Sequence, residues 1–472
     1  VTDAADRLIR DVQERFGPKA ALTDRAALEP WLTDWRGRFR GEARAILSPA
    51  STEEVAAMVH LAGRLGVPLV PQGGNTSMVG GATPPADGSA LLFSLRRMNR
   101  LRAIDADANL AVAEAGVILA DLHDRAAAVG RRFPLTLGAR GSCTIGGLVS
   151  TNAGGTQVLR FGTMRALVAG LEVVLPDGAV HNGLSGLKKD NRGYSIDQLL
   201  IGAEGTLGIV TAAALRLVPA VQRRAVAWAG VADPGAALKL LRHMEERTDR
   251  VEGFELISGD GLALAVDHIP GIRSPLNGRH AWHVLIEATS ATADFDPVPM
   301  VQDLLGDAIE AGLVEDATVA ASEAQAAALW RIRDSLSEAE RAEGPSTAHD
   351  ISVPVADMPR FLIEAKAAVE AAFPGTVASA FGHLGDGNLH FHVRAGRQAR
   401  EGWTAREGPG IERFVDDLVT QAGGSISAEH GIGQMKRAEL ARLAPPGDLA
   451  ALCAIKAALD PRGIMNPGKL VG

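Results

Sequence analysis

Cysteine is almost missing from this chain: only Cys143 and Cys453 occur in 472 residues. No disulfide framework can be built from them, so a reducing, cytoplasmic setting is expected. Long apolar runs are missing too. None approaches the roughly 18 residues that a membrane span needs. The opening stretch VTDAADRLIRDVQERF is charged and amphipathic, with Leu8, Ile9, Val12 and Phe16 on one face. It lacks the apolar centre of a secretion signal. There is no Lys/Arg cluster, and the net charge is −8. Nucleic acid and an anionic membrane are therefore poor candidates for the main partner. Neither G-x-G-x-x-G nor G-x-x-x-x-G-K-[ST] occurs. An NAD-type Rossmann dehydrogenase and a P-loop ATPase both lose support.

A chain of this length needs two or three cores. Residues 44–219 alternate between extended and helical patterns. Ser51 and Glu54 form a capping box for a helix ending near Gly66. Residues 101–115 read as a hairpin turning at "DADAN". Pro219 marks a first boundary. From 220 to about 395, helical and apolar extended stretches alternate as in an α+β domain. "GRQAREGWTAREGP" (396–409) reads as a polar loop, and helical patterns return at 411–422 and 448–459. The expected division is 1–219, 220–410 and a C-terminal helical segment, 411–472.

Glycine is what the first domain has in abundance. "PQGGNTSMVGG" (71–81), "PLTLGARGSCTIGGLVSTNAGG" (134–155) and "IGAEGTLGIV" (201–210) each lie beside an apolar strand pattern. Glycine lets backbone N–H groups approach a phosphate closely. Any one of these segments is explained as well by a tight turn. Three in one domain favour a long phosphate-bearing ligand.

Histidine is scarce, yet "FGHLGDGNLHFHV" (381–393) holds three of the 12 in the chain. Asp386-Gly387 predicts a two-residue hairpin turn. His383 then faces His390, and Phe381 faces His392. All three histidines share one side, because side chains alternate with period two. Opposed imidazoles suit a metal ion, although buried histidines are often only hydrogen-bonded core residues. A third ligand would be a carboxylate or another imidazole. "GGSISAEHGIGQMK" (423–436) offers Glu429 beside His430 in a glycine-rich loop. In "LWRIRDSLSEA" (329–339), Trp330, Arg333 and Ser337 line one helix face. Arg333 could grip a carboxylate through two hydrogen bonds. From spacing alone, a solvent-facing arginine explains it better.

The glycine segments resemble the FAD-binding domain of the vanillyl-alcohol-oxidase/PCMH flavoproteins. The similarity is greatest to the branch of D-lactate and D-2-hydroxyglutarate dehydrogenases, and runs from "DWRGRFRG" (34–41) to "IMNPGKL" (464–470). It implies a two-part FAD-binding domain, a ferredoxin-like α+β substrate domain, and a C-terminal segment packing back near the flavin. Pro71, Gly73, Gly74, Asn75, Thr76, Ser77 and Met78 would wrap the pyrophosphate. Pro134, Leu135, Gly138, Ser142 and Thr144 would follow the diphosphate and isoalloxazine, with Ile145, Gly147, Asn152 and Gly154. Glu204, Gly208 and Ile209 would lie near the adenosine, and Asn466 would also reach the cofactor. Gly73-Gly74-Asn75-Thr76 holds no histidine, so FAD is expected to be noncovalent.

"GHLGDGNLH" and "EHGIG" resemble the metal and catalytic motifs of that branch. The resemblance implies His383, His390 and Glu429 as ligands of Zn²⁺ or another divalent metal, and His430 as base. Arg333, Ser337 and His392 would meet the substrate. The reaction implied is oxidation of a D-2-hydroxy acid, D-2-hydroxyglutarate first, with hydride passing to the flavin N5. The acceptor would be a quinone, a cytochrome or an electron-transfer flavoprotein, and a homodimer is a candidate assembly. Two departures bear on the substrate: Ala348 stands where relatives commonly have lysine, and His392 where they often have asparagine. A D-lactate or glycolate dehydrogenase is therefore an alternative. From other classes, the alternatives are a zinc hydrolase without flavin and a flavin-containing electron-transfer subunit.

Overall fold

The computed structural model describes residues 3–396 and 401–471. The chain is α+β and divides into two compact units. The first takes residues up to 155, then 162–220, and resumes at Glu429; the second takes 156–161 and 221–428.

Two larger sheets, and a two-stranded one of Arg131–Arg132 with Val218–Pro219, build the first unit. One has the spatial order Ala21–Leu22, Ile46–Leu47, Leu91–Ser94, Leu69–Gln72, with the last three parallel. The other is antiparallel: Leu101–Asp105, Leu110–Glu114, Ile209–Arg216, Val168–Val174, Val180–Asn182. Helix Thr52–Leu65 starts where the sequence places it. Ser51 Oγ accepts from Glu54 N, and the Glu54 carboxylate reaches back to Ala50 N. Gly66 ends the helix in the left-handed region at φ 68°. Its buried face (Val55, Met58, Val59, Ala62) packs with Leu69, Leu91 and Phe93. The C-terminal segment joins the same unit beside Leu69, whose N–H donates to Ile464 O at 2.8 Å and whose O accepts from Asn466 N at 2.8 Å.

The second unit is one seven-stranded antiparallel sheet. Its order is Asp316–Val319, Arg223–Val231, Trp282–Ser290, Val251–Ser258, Val377–His383, Asn388–Arg394, Ser346–Ser352. Helices cover both faces, so the inner strands are apolar on both sides. Ala225, Ala227, Ala229 and Val231 pack with helices Pro234–Glu245 and Pro297–Glu310, within a core that also takes in Met358–Ala372 and Trp403–Gln421. Val226, Trp228, Ile257, Leu285 and Phe381 face Gly259–His268 and Glu323–Glu343.

The loop expected over 396–409 differs. Residues 397–400 lie outside the described residues, and from Trp403 the chain is helical through Gln421. Glycines and Pro409 hid a stripe at Trp403, Gly408, Ile411, Val415 and Val419, whose burial overrides weak propensity. This helix belongs to the second unit; the chain re-enters the first only at Glu429.

One buried histidine here predicts acid sensitivity. His283 Nδ1 accepts from Trp228 Nε1 at 3.1 Å, and burial, aided by nearby His280, pushes its pKa down to about 4. Above the ordinary pKa of about 6.5, both folded and unfolded chains carry it neutral. As pH falls from there toward 4, the unfolded chain takes up a proton that the folded chain refuses. A contribution of about 3 kcal/mol is lost across that window. Denaturant midpoints measured from pH 7 to 4 are expected to fall less steeply in His283→Asn, which keeps an acceptor for Trp228. Equal slopes would count against this assignment.

Candidate active site

All three glycine segments converge in the first unit on a cavity of about 510 Å³. Pro71, Gly73 to Met78, Gly138, Ser142, Thr144, Gly147, Gly154, Gly208 and Ile209 line it. The glycines are required where strands of loop touch. A Cβ on Gly74 would lie 1.9 Å from Ser142 O, and one on Gly73 would lie 2.3 Å from Thr144 Oγ1. Thr144 Oγ1 is buried, with no hydrogen-bond partner among the described residues. An unsatisfied hydroxyl facing backbone that only glycine permits suits an extended ligand with phosphate oxygens. Cys143, on the same wall, is pushed up to about 11 by burial, so it stays a neutral thiol.

Five residues expected at the cofactor do not line this cavity. Pro134, Leu135 and Ile145 are buried, and Leu135 O is bonded by the His123 ring at 3.0 Å. Asn152 Oδ1 accepts from Thr163 Oγ1 and Arg165 N, both at 2.9 Å. Asn466 Nδ2 donates to Gly81 O and Glu204 O.

Glu204 has an unexpected task. It lines the cavity, but its carboxylate oxygens accept from Ile432 N and Gly433 N, each at 2.7 Å. Burial raises its pKa against the pull of those two N–H groups. The spacing in "EHGIG" follows from this clamp. Gly431 (φ 81°) and Gly433 (φ 52°) occupy the left-handed region, and a Cβ would lie 2.8 Å from Glu204 Oε1 or 2.3 Å from Val79 O. The clamped loop puts Glu429 and His430 on the cavity wall.

The histidine hairpin lies in the second unit and differs from the expected register. His383 is opposite Asn388, Phe381 opposite His390, and Ser379 opposite His392. The connection is the four-residue loop 384–387 rather than a two-residue turn. Leu384 N still bonds Phe254 O of the neighbouring strand, and Val353 N bonds Gly387 O, which holds the loop open. The shift is an even number of residues, so the three histidines keep a common face. His383 and His390 become diagonal neighbours with ring centres 5.9 Å apart.

Around them the face is densely bonded. His383 Nδ1 lies 2.6 Å from Glu255 Oε1, and Arg333 Nε donates to Glu255 Oε2 at 2.6 Å. Burial opposes ionisation of Glu255, but His383 and Arg333 outweigh it and hold its pKa below the ordinary value. The Arg333 guanidinium lies over Phe381, and His392 stacks on the same ring at 5.5 Å. Arg333 is thus buried and engaged, not solvent-facing. Trp330 anchors to Glu287, and Ser337 is half-buried on the same helix. Ala348 is directly opposite His392, so the two departures noted in the sequence are cross-strand neighbours.

The chain leaves the second unit at Ala428, whose N–H bonds Asp350 O, and Glu429 is one peptide farther on. His383 and His390 belong to the second unit and Glu429 to the first. Sequence reasoning missed Glu255 and the task of Glu204. The signal for Glu255 was a carboxylate inside an otherwise apolar strand, "VEGFELIS".

Two family models match: "FAD linked oxidases, C-terminal domain" over 220–470 and "FAD binding domain" over 43–183. This chain belongs to the FAD-linked oxidases. It is 35% identical to the mitochondrial D-2-hydroxyglutarate dehydrogenase of Arabidopsis thaliana, covering 97% of this chain and 80% of that protein. It is 34% identical to the D-2-hydroxyglutarate dehydrogenase of Xanthomonas citri pv. viticola, covering 98% and 97%. A putative mitochondrial D-lactate dehydrogenase of Schizosaccharomyces pombe is 33% identical, covering 95% and 86%. The fold is similar to p-cresol methylhydroxylase (TM-score 0.73, 15% identity, 99% and 96% covered). It is also similar to alkyldihydroxyacetonephosphate synthase (TM-score 0.72, 18%, 98% and 84%). No helix among the described residues is long and apolar enough to cross a membrane.

Proposed function

We propose that this chain oxidises a D-2-hydroxy acid, first of all D-2-hydroxyglutarate, to the 2-oxo acid, using FAD and a divalent cation. The observation that carries the reading is the pair His383 and His390 on one face of the second unit, ring centres 5.9 Å apart, with Glu429 and His430 on the wall of the glycine-lined cavity of the first. Relatives named D-2-hydroxyglutarate dehydrogenase, aligned over nearly the whole chain, support it. Noncovalent FAD would lie against 71–78 and 142–154 and would supply a two-electron acceptor for the hydrogen on Cα. Two imidazoles and a carboxylate suit Zn²⁺, which would supply Lewis-acid charge beside the substrate oxygens.

The side chains do the rest. His430 takes the hydroxyl proton and must be neutral to do so. Arg333 bonds Glu255 through Nε alone, which leaves its terminal nitrogens the capacity to meet a carboxylate end-on. Ser337 and His392 complete that end. Electrons then pass to a quinone, a cytochrome or an electron-transfer flavoprotein. We place the reaction in a reducing compartment, in keeping with a chain that has only two cysteines.

A smaller substrate such as D-lactate is the second reading. Ala348 supplies no cation beside His392, and Arg333 and Arg394 are each paired with a buried glutamate, Glu255 and Glu340. Anaerobic bleaching of the flavin by a panel of D- and L-2-hydroxy acids separates the two. D-2-hydroxyglutarate is expected to bleach fastest and L-isomers not at all. A colourless purified protein, or flavin that no 2-hydroxy acid reduces, would overturn the proposal.

A further inference from the structure

We propose that Glu255 is a positioning residue that couples the cation site to the carboxylate grip. The inference rests on the reading of His383 as a ligand and Arg333 as a substrate contact. Glu255 lies on the strand Val251–Ser258, directly opposite His383 in the sheet, and is 1% exposed. A carboxylate so buried is costly to ionise unless cationic or N–H groups face it. Here both of its oxygens are used, one by His383 Nδ1 and one by Arg333 Nε, each at 2.6 Å.

Each contact has a separate consequence. A carboxylate on Nδ1 fixes the proton there, so Nε2 carries the lone pair that a cation needs. It also locks the ring's rotation and raises its basicity. The second contact pins the guanidinium over Phe381 at 5.0 Å. Phe381 is also the ring against which His390 and His392 lie, at 5.1 and 5.5 Å. One carboxylate therefore sets the orientation of a ligand and of a substrate-binding cation together. A change in either contact is felt by the other, so metal and substrate bind cooperatively through it.

The test uses the full-length, flavin-loaded protein stripped of metal. Co²⁺ affinity is measured by competition with a chromogenic chelator, with and without 2-oxoglutarate as product ligand. Glu255→Gln is expected to weaken Co²⁺ binding about 10- to 100-fold, to raise KM, and to remove the enhancement of Co²⁺ binding by 2-oxoglutarate. The flavin spectrum should be unchanged. Glu287→Gln is the control: it removes a half-buried carboxylate of the same sheet, bonded to Trp330 and Arg224, and should lower stability without moving Co²⁺ affinity. Should Glu255→Gln fail to fold with Arg333 unpaired, the double variant Glu255→Gln/Arg333→Met removes both charges and is expected to show the same loss of affinity. Wild-type affinity in the variant that folds overturns the inference. A wild-type protein that binds no Co²⁺ overturns the metal reading as well, and so distinguishes the two failures.

Discussion

His430→Ala is expected to slow anaerobic flavin reduction by about 10²- to 10⁴-fold, the usual worth of a positioned general base, while the protein stays yellow. The two halves of that expectation have different structural grounds. The loop carrying His430 is held from outside the imidazole, by the Glu204 carboxylate on Ile432 N and Gly433 N. Removing the ring leaves this clamp in place. The rest of the cavity wall, chiefly from 71–82, 137–154 and 204–210, is unchanged. Flavin retention with lost reduction is therefore the combined result to look for, by stopped-flow absorbance after mixing with D-2-hydroxyglutarate. Reduction at the wild-type rate would remove His430 from the base role.

Stripping divalent metal is expected to cut turnover by about 10³-fold or more, since a Lewis acid at the reacting oxygen is worth several kcal/mol. His390→Ala should do the same. Zn²⁺ or Co²⁺ should restore the stripped wild type but not His390→Ala. The flavin should not be released in either case, because the glycine loops make their close approaches through backbone and through Thr144, with no help from His383 or His390. Metal content by elemental analysis, alongside flavin absorbance, checks both parts. Unchanged turnover in metal-free protein would remove the metal from the reaction.

Much of this could be read from the chain because local signals agreed with the fold. The capping pair Ser51 and Glu54, the turn at "DADAN" and the alternating strands of 220–395 each specify an element whose burial then reinforces it. The hairpin register was not legible, since Asp-Gly chemistry competes with tertiary hydrogen bonds. The bonds Leu384 N to Phe254 O and Val353 N to Gly387 O come from strands distant in sequence and win. Glu255 escaped notice for a related reason. Its partners His383 and Arg333 lie 128 and 78 residues away, so nothing near it in the chain shows that its charge is matched. Glu204 was placed near the adenosine by resemblance, yet its contacts are with backbone N–H groups, which leave no imprint on residue type except the glycines they permit.

The loop at 384–387 has a bearing on which insertions and deletions this region can absorb. Shortening or lengthening by two residues slides one strand past the other but returns every imidazole to the same layer. A change of one residue would force either a bulge or a flip that carries His390 and His392 into the apolar layer occupied by Phe391 and Val393. Length variation here should therefore come in pairs.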